Sequence, residues 1–179
     1  MSFWKRLFGG ADGGTVPKQT AAAVAPREVV KPRVKINQAG IDLIKGFESL
    51  ALKPYTDLAG HLTIGYGHKI LPGERFSIIS KTEAENILID DLEKAEKQTD
   101  ALLSVKLNPN QYAAIISFVF NLGSGAFRGS TLRKHLNAGD FNAAAGQFHR
   151  WVYAGAAGKK IKYKGLIVRR EAERKLFIS

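Results

Sequence analysis

The stretch Lys53-Pro54-Tyr55-Thr56-Asp57-Leu58-Ala59-Gly60-His61-Leu62-Thr63-Ile64-Gly65-Tyr66-Gly67-His68 decides the fold. It has no helical period. Pro54 breaks the pattern, Asp57 to Gly60 has the composition of a turn, and Leu62, Thr63, Ile64 and Tyr66 interleave with Gly65 and Gly67. The segment reads as a short hairpin or a three-stranded sheet. Just before it, Ile41, Ile44, Phe47 and Glu48 follow an i, i+3, i+6, i+7 pattern that predicts a helix over residues 38–49, with Glu48 near its C-terminal end.

Everything after the sheet reads as helix. Thr82-Glu83-Ala84-Glu85 has capping-box spacing and predicts a long amphipathic helix running to about Leu103. Asn108-Pro109 starts a helix whose Tyr112, Ile115, Ile116, Val119 and Phe120 place it at the centre of the core, with a stop at Gly123. Asp140 reads as the cap of a helix through His149, and residues 169–177 as a last amphipathic helix. No internal repeat is evident. The expected class is α+β, a small β-hairpin lobe joined by one long helix to a helical lobe, with a ligand cleft between the lobes.

A chain of 179 residues can bury one substantial core and carry a tail. The formal net charge is +11, so polyanions are the expected partners: nucleic acid, anionic lipid or bacterial wall polymers. With no cysteine there is no thiolate nucleophile, disulfide framework or Cys-ligated metal, and the chemistry falls to carboxylates, histidines or hydroxyls. No apolar run approaches the roughly 18 residues of a membrane-spanning helix.

Residues 1–35 hold seven basic side chains against Asp12 and Glu28, and so carry +5 of the +11. From Gly9 to Pro32 the composition is that of a flexible linker. We place a basic arm at 1–35 and a folded domain at 36–179. Leu7 and Phe8 run straight into glycines, which argues against a secretion signal. Phe3, Trp4, Leu7 and Phe8 form a short amphipathic tip beside Lys5 and Arg6, read either as an uninvolved end or as a contact with an anionic membrane or outer membrane.

Glycosidic hydrolysis needs two carboxyl groups in unequal settings, one kept protonated by apolar neighbours and one ionised. Glu48, beside Ile44, Phe47 and Leu50, and Asp57, in a polar turn, suit those settings. On a hairpin turning at Asp57 to Gly60, Thr63 comes back across from the Asp57 strand, where its hydroxyl would help hold a water. Read alone, the same residues are also a helix-end charge, a turn cap and an ordinary strand threonine, and among 16 acidic residues such pairs arise by chance.

Gly46-Phe47-Glu48-Ser49-Leu50, Tyr55-Thr56-Asp57, Gly60 and Leu62-Thr63-Ile64-Gly65-Tyr66-Gly67-His68 together resemble the active-site region of the bacteriophage-type lysozymes, glycoside hydrolase family 24, with their Glu, eight residues, Asp, five residues, Thr pattern. Asn110-Gln111-Tyr112, residues 118–123 and residues 165–173 resemble that family's helical-lobe segments, so the likeness runs from about Ile36 to Phe177. The resemblance implies a lysozyme-like two-lobed fold and a phage endolysin that lyses its host. Such an enzyme hydrolyses the β-1,4 bond between N-acetylmuramic acid and N-acetylglucosamine in peptidoglycan. It makes Glu48 the general acid and Asp57, helped by Thr63, the residue that activates water. Direct attack by water would invert the sugar centre, with carboxyl groups roughly 6.5 to 9.5 Å apart.

The resemblance also places Phe120, Asn121 and the loop from Ser124 to Thr131 on the helical-lobe side of the sugar cleft, so Phe120 and Thr131 are expected substrate-binding residues. Phe120 has equally the spacing of a buried face, and Trp151 and Tyr153 are read as sugar-stacking or as core. His68 is expected to support the fold through a hydrogen bond. His61, His135 and His149 have no ligand-like spacing with it, so no metal is expected, and no cofactor. Gly65-Tyr66-Gly67 lacks the third glycine and helix start of a phosphate loop.

The expected partner is therefore peptidoglycan, with the chain acting as a monomer that accumulates in the host cytoplasm and leaves through a holin pore. Two rival readings remain at this stage. A nucleic-acid-binding protein would need clustered basic and aromatic residues, whereas Lys and Arg are dispersed apart from Lys159, Lys160, Lys162 and Lys164. A membrane-active protein would kill through the tip, with the domain as its carrier.

Overall fold

A computed structural model describes residues 35–57, 60–154 and 161–179. The amphipathic tip, the linker, Leu58, Ala59, Lys159 and Lys160 lie outside the described residues.

The first helix, α1 (Gln38–Phe47), starts where the Asn37 side chain accepts the Gly40 N–H and ends with Glu48 in an extended conformation. Three short strands follow: β1 (Ala51–Thr56), β2 (Leu62–Gly65) and β3 (His68–Lys69), paired antiparallel in that order. Tyr55 faces Thr63 and Thr56 faces Leu62 across β1 and β2, with an irregularity between Ala51 and Tyr55 that accommodates Pro54 on this edge strand. Gly65 and Gly67, at φ +62° and +90°, reverse the chain between β2 and β3, a left-handed backbone that a side chain would strain.

The long helix α2 (Lys81–Asp100) runs from the sheet to the helical lobe. Its capping box is formed by Ser80 and Glu83, two residues ahead of the expected Thr82 and Glu85. Helix α3 (Pro109–Leu122) lies between Asn108 and Gly123, as the sequence predicts, and Ala113 to Val119 are all buried. It packs against α1, α2 and the C-terminal helix. Around it sit α4 (Ser124–Arg128), α5 (Thr131–Asn137) and α6 (Phe141–Gln147), the last capped by Asp140 and continued as a 3-10 turn over Phe148–Arg150.

Three elements depart from expectation. Ser124 to Arg128 is helix rather than loop. A two-stranded ladder, β4 (Tyr153–Ala154) with β5 (Ile161–Lys162), interrupts the all-helical lobe; strands of two residues are too short to carry an alternating pattern. The final helix α7 (Lys164–Phe177) begins five residues before Arg169. The fold class is the expected α+β arrangement, with a small sheet and a helical lobe joined by α2.

Candidate active site

Glu48 sits where α1 stops. Its N–H still donates to the Ile44 carbonyl at 2.9 Å, but its extended backbone turns the side chain inward, and the residue is only 5% exposed. Beside the apolar neighbours that the local sequence predicts stands a cation from a distant segment, which local spacing does not reveal. Arg169 of α7 donates from Nη1 to Glu48 Oε1 at 2.8 Å, and its guanidinium lies 5.5 Å from the Phe47 ring centre. Arg169 Nε reaches Glu173 Oε1 at 3.2 Å, and the same oxygen accepts from Ser117 Oγ at 2.8 Å and Arg170 Nη2 at 2.9 Å. Arg170 Nη2 also donates to Asn121 Oδ1 at 2.8 Å. Two carboxylates and two guanidiniums thus form a buried, charge-balanced chain from the end of α1 to α3. A charge out of water persists only when paired in this way.

Asp57 lies just beyond β1 and is 7% exposed. Its N–H donates to the His61 carbonyl at 2.8 Å, and its Oδ1 accepts the His61 N–H at 2.8 Å, so the two residues close the β1–β2 connection. Thr63 is fully buried, and its hydroxyl donates to the His61 carbonyl at 3.2 Å. Tyr55, opposite Thr63, has its phenol pushed up first by burial and then by the negative charges of Glu48 and Asp57. Both carboxyl groups therefore act on one hydroxyl.

Glu48 and Asp57 line one cavity of about 600 Å³ between the sheet and the helices. Its other walls include His61 from the β1–β2 connection, Lys69 of β3, Asp91, Lys94 and Gln98 from α2, and Val119 to Leu122 of α3 with Gly123 at its end. Phe120 and Asn121 stand in that wall. Thr131 lies exposed at the start of α5, apart from the cavity lining, and from the segment Ser124 to Thr131 it is Ala126 that lines the cavity. Trp151 and Tyr153 both line it, and Trp151 also meets Phe118 edge-on at 5.3 Å, so it serves core and cleft together.

His68 braces the sheet lobe from outside the reacting groups. Its Nδ1 lies 2.8 Å from Asp91 Oδ2 and its Nε2 2.9 Å from Glu74 Oε2, tying β3 to α2. The hydrogen bond with Asp91 holds the imidazolium above the ordinary range, against the opposing effect of burial, and Glu74 adds to the rise.

Residues 45–173 match the Phage lysozyme family model. The chain belongs to the phage lysozyme family. Among phage lysozyme relatives, the endolysin of Bacillus phage B103 is 42% identical over 148 residues, 82% of this chain and 55% of that protein. The chain thus spans about half the length of that relative. The SAR-endolysin of Escherichia phage Mu is 44% identical over 70% of this chain and 71% of its own. Among solved structures, the muramidase domain of SpmX from Asticaccaulis excentricus superposes with a TM-score of 0.75 at 33% identity, over 82% of this chain and 99% of that one. The phage lysozyme match runs from the last turn of α1 through most of α7, so Glu48, the sheet, α3 and Arg169 all fall within it.

Proposed function

We propose that the chain is a phage endolysin, a muramidase that hydrolyses the β-1,4 bond between N-acetylmuramic acid and N-acetylglucosamine in peptidoglycan, and that residues 36–179 form its catalytic domain. The observation that carries this reading is the meeting of two buried carboxyl groups, Glu48 and Asp57, in one inter-lobe cleft of a phage lysozyme. Glu48 acts in its protonated form, in which Arg169 keeps Glu173 as its counter-charge, and its carboxyl donates that proton to the glycosidic oxygen as the C1–O bond breaks. Asp57 takes a proton from the water whose oxygen forms the new bond to C1, and the sugar centre inverts. Thr63 steadies the turn that presents Asp57 by bonding the His61 carbonyl. Phe120, Trp151 and Tyr153 offer the sugar rings apolar faces in the wall of the cleft. Thr131 takes part only if the glycan extends beyond the cleft toward α5.

The net charge of +11 draws the enzyme to a wall polymer rich in carboxylates, an attraction that salt weakens. The enzyme acts as a monomer, needs no cofactor, accumulates in the host cytoplasm and reaches peptidoglycan through a holin pore. Residues 1–8 touch anionic membrane on the way. Among the described residues, no helix is long and apolar enough to cross a membrane.

The test is muropeptide release from purified peptidoglycan by the wild type, by Glu48→Gln and by a form lacking residues 1–35. Fragments with reducing-end N-acetylmuramic acid from the first and third, and none from a folded Glu48→Gln, support the reading. Release by Glu48→Gln at the wild-type rate removes it. Liposome binding by the full chain that the truncated form lacks supports the role of residues 1–8.

A further inference from the structure

Lys69 stands on β3, at the edge of the sheet, directly across from Thr63, and residues opposite one another on a ladder share a face. His68, its chain neighbour, is buried and bonded to Asp91 of α2, so the alternation of the strand turns Lys69 the other way, and its exposed side chain lines the cleft. The carboxylates and the other lysine of the cleft wall are answered from within the protein. Arg169 meets Glu48, the His61 main chain meets Asp57, and Asp91 receives His68 on Oδ2 and Lys94 on Oδ1, the latter at 3.2 Å. Lys69 is different: among the described residues, no carboxylate lies within ion-pair reach of its ammonium. A compact cation on a flexible stem is thus left to reach into the cleft.

The hydroxyls and acetamides of N-acetyl sugars carry no charge. In peptidoglycan the anionic groups hang from one sugar of the pair, on the lactyl arm of N-acetylmuramic acid, either as the carboxyl group of the arm itself or as carboxyl groups of the peptide attached to it. A cation in the cleft wall therefore has one kind of group to meet, and the low-dielectric walls of a cleft strengthen the attraction. We propose that Lys69 is a specificity-determining residue whose ammonium binds a carboxylate on the lactyl arm, so that the cleft prefers acid-bearing glycan over neutral glycan. The inference rests on the muramidase reading. It assigns to one side chain what net charge leaves spread over the surface: the +11 attracts any polyanion, whereas Lys69 acts on the group that marks one sugar of the repeat.

The experiment is an NMR titration of the full chain with three short sugars that lack the bond to be cut: the disaccharide of N-acetylglucosamine and N-acetylmuramic acid bearing its stem peptide, the same disaccharide with a bare lactyl carboxyl, and uncharged di-N-acetylchitobiose. The proteins are the wild type, Lys69→Gln, Lys69→Arg and Lys134→Gln, each checked for folding by its unfolding midpoint. Lys134 is exposed on α5, apart from the cleft lining, so its variant removes the same charge elsewhere. The wild type binds an acidic disaccharide about fivefold more tightly than the neutral one, the scale of one solvent-accessible ion pair. Lys69→Gln loses that preference, while Lys69→Arg and Lys134→Gln keep it. Preference for the peptide-bearing sugar names the stem as a source of the carboxylate, and preference for the bare one names the arm itself. No preference in the wild type, the same preference in Lys69→Gln, its loss in Lys134→Gln, or a Lys69→Arg that binds like Lys69→Gln overturns the proposal. A wild type that binds none of the three sugars overturns it too when muropeptides are still released; without that release, the muramidase reading beneath it falls instead.

Discussion

Arg169 and Glu48 are 121 positions apart in the chain, yet their side chains meet at 2.8 Å with almost no surface exposed. The guanidinium is shared with Glu173, so its removal leaves two buried carboxylates short of a counter-charge. Arg169→Met is expected to lower unfolding stability by about 3–5 kcal/mol in urea titration, the range for breaking one side of a buried pair. The matched double variant with Glu48→Gln recovers part of that loss. Equal stability of the single variant and wild type would mean that the pair carries no weight in the fold.

Glu48→Gln keeps shape and loses the transferable proton. A fall of about 10²–10⁴ in muropeptide release is expected, the usual contribution of a positioned general acid. Its unfolding midpoint is expected to fall, because Arg169 and Arg170 are then left with Glu173 alone, and rates compared well below that midpoint separate chemistry from folding.

The ion pair of His68 with Asp91 gives stability a pH dependence of defined sign. Because the pairing raises the folded pKa of His68 above its unfolded value near 6.5, the stabilisation is fully present below that pH and is lost as pH rises through the folded value. Asp91→Asn should therefore lower the melting temperature more at pH 5.5 than at pH 9, with a difference of at least about 3 °C. A penalty that is the same at both pH values would contradict the pairing.

Gly40 is where α1 crosses α3. A Cβ there would lie 2.7 Å from both Ala113 Cβ and Ile36 Cγ1. Gly40→Ala improves helix propensity but is expected to cost about 1–3 kcal/mol through overpacking. Because α1 carries Glu48 at its end, the variant should lose activity as well as thermal stability. A stability gain in calorimetry would show that the crossing relaxes freely.

The Tyr55 hydroxyl is buried and finds no hydrogen-bond partner among the described residues. Tyr55→Phe removes that desolvated group and is expected to leave stability unchanged or raise it by up to about 1 kcal/mol, measured by chemical unfolding. A loss well beyond that range would reveal a partner for the hydroxyl.

Where the sequence carried local chemistry, it was legible. Asn108-Pro109 and Gly123 mark both ends of α3 because cap and stop act within one turn of the helix. Glu48 and Asp57, singled out by their spacing, both line the cleft, whereas Thr63, expected to hold a water beside Asp57, is buried outside the cavity lining with its hydroxyl on the His61 carbonyl, a contact that spacing does not reveal. Local signals failed where two solutions shared a spacing: Ser80 with Glu83 and Thr82 with Glu85 are both three apart, and only packing selects the first. They failed again where charge is buried. Arg169, Arg170 and Glu173 look like the polar face of an amphipathic helix, since they pair with one another at i, i+3 and i, i+4, and their remaining partners, Glu48, Ser117 and Asn121, lie elsewhere in the chain. Glu96 is a similar case, a seemingly solvent-facing acid that accepts the main-chain N–H groups of Lys35 and Ile36.

The chain of contacts from Glu48 through Arg169 to Glu173 also has a meaning for synthesis. A ribosome delivers Glu48, Asp57, the sheet and the central helix first, and the guanidinium that pairs with Glu48 only with α7. Until that helix has emerged and docked, the polypeptide carries both cleft carboxyl groups but lacks the cation that meets Glu48. Closure of this buried pair is therefore among the last contacts the growing chain can make.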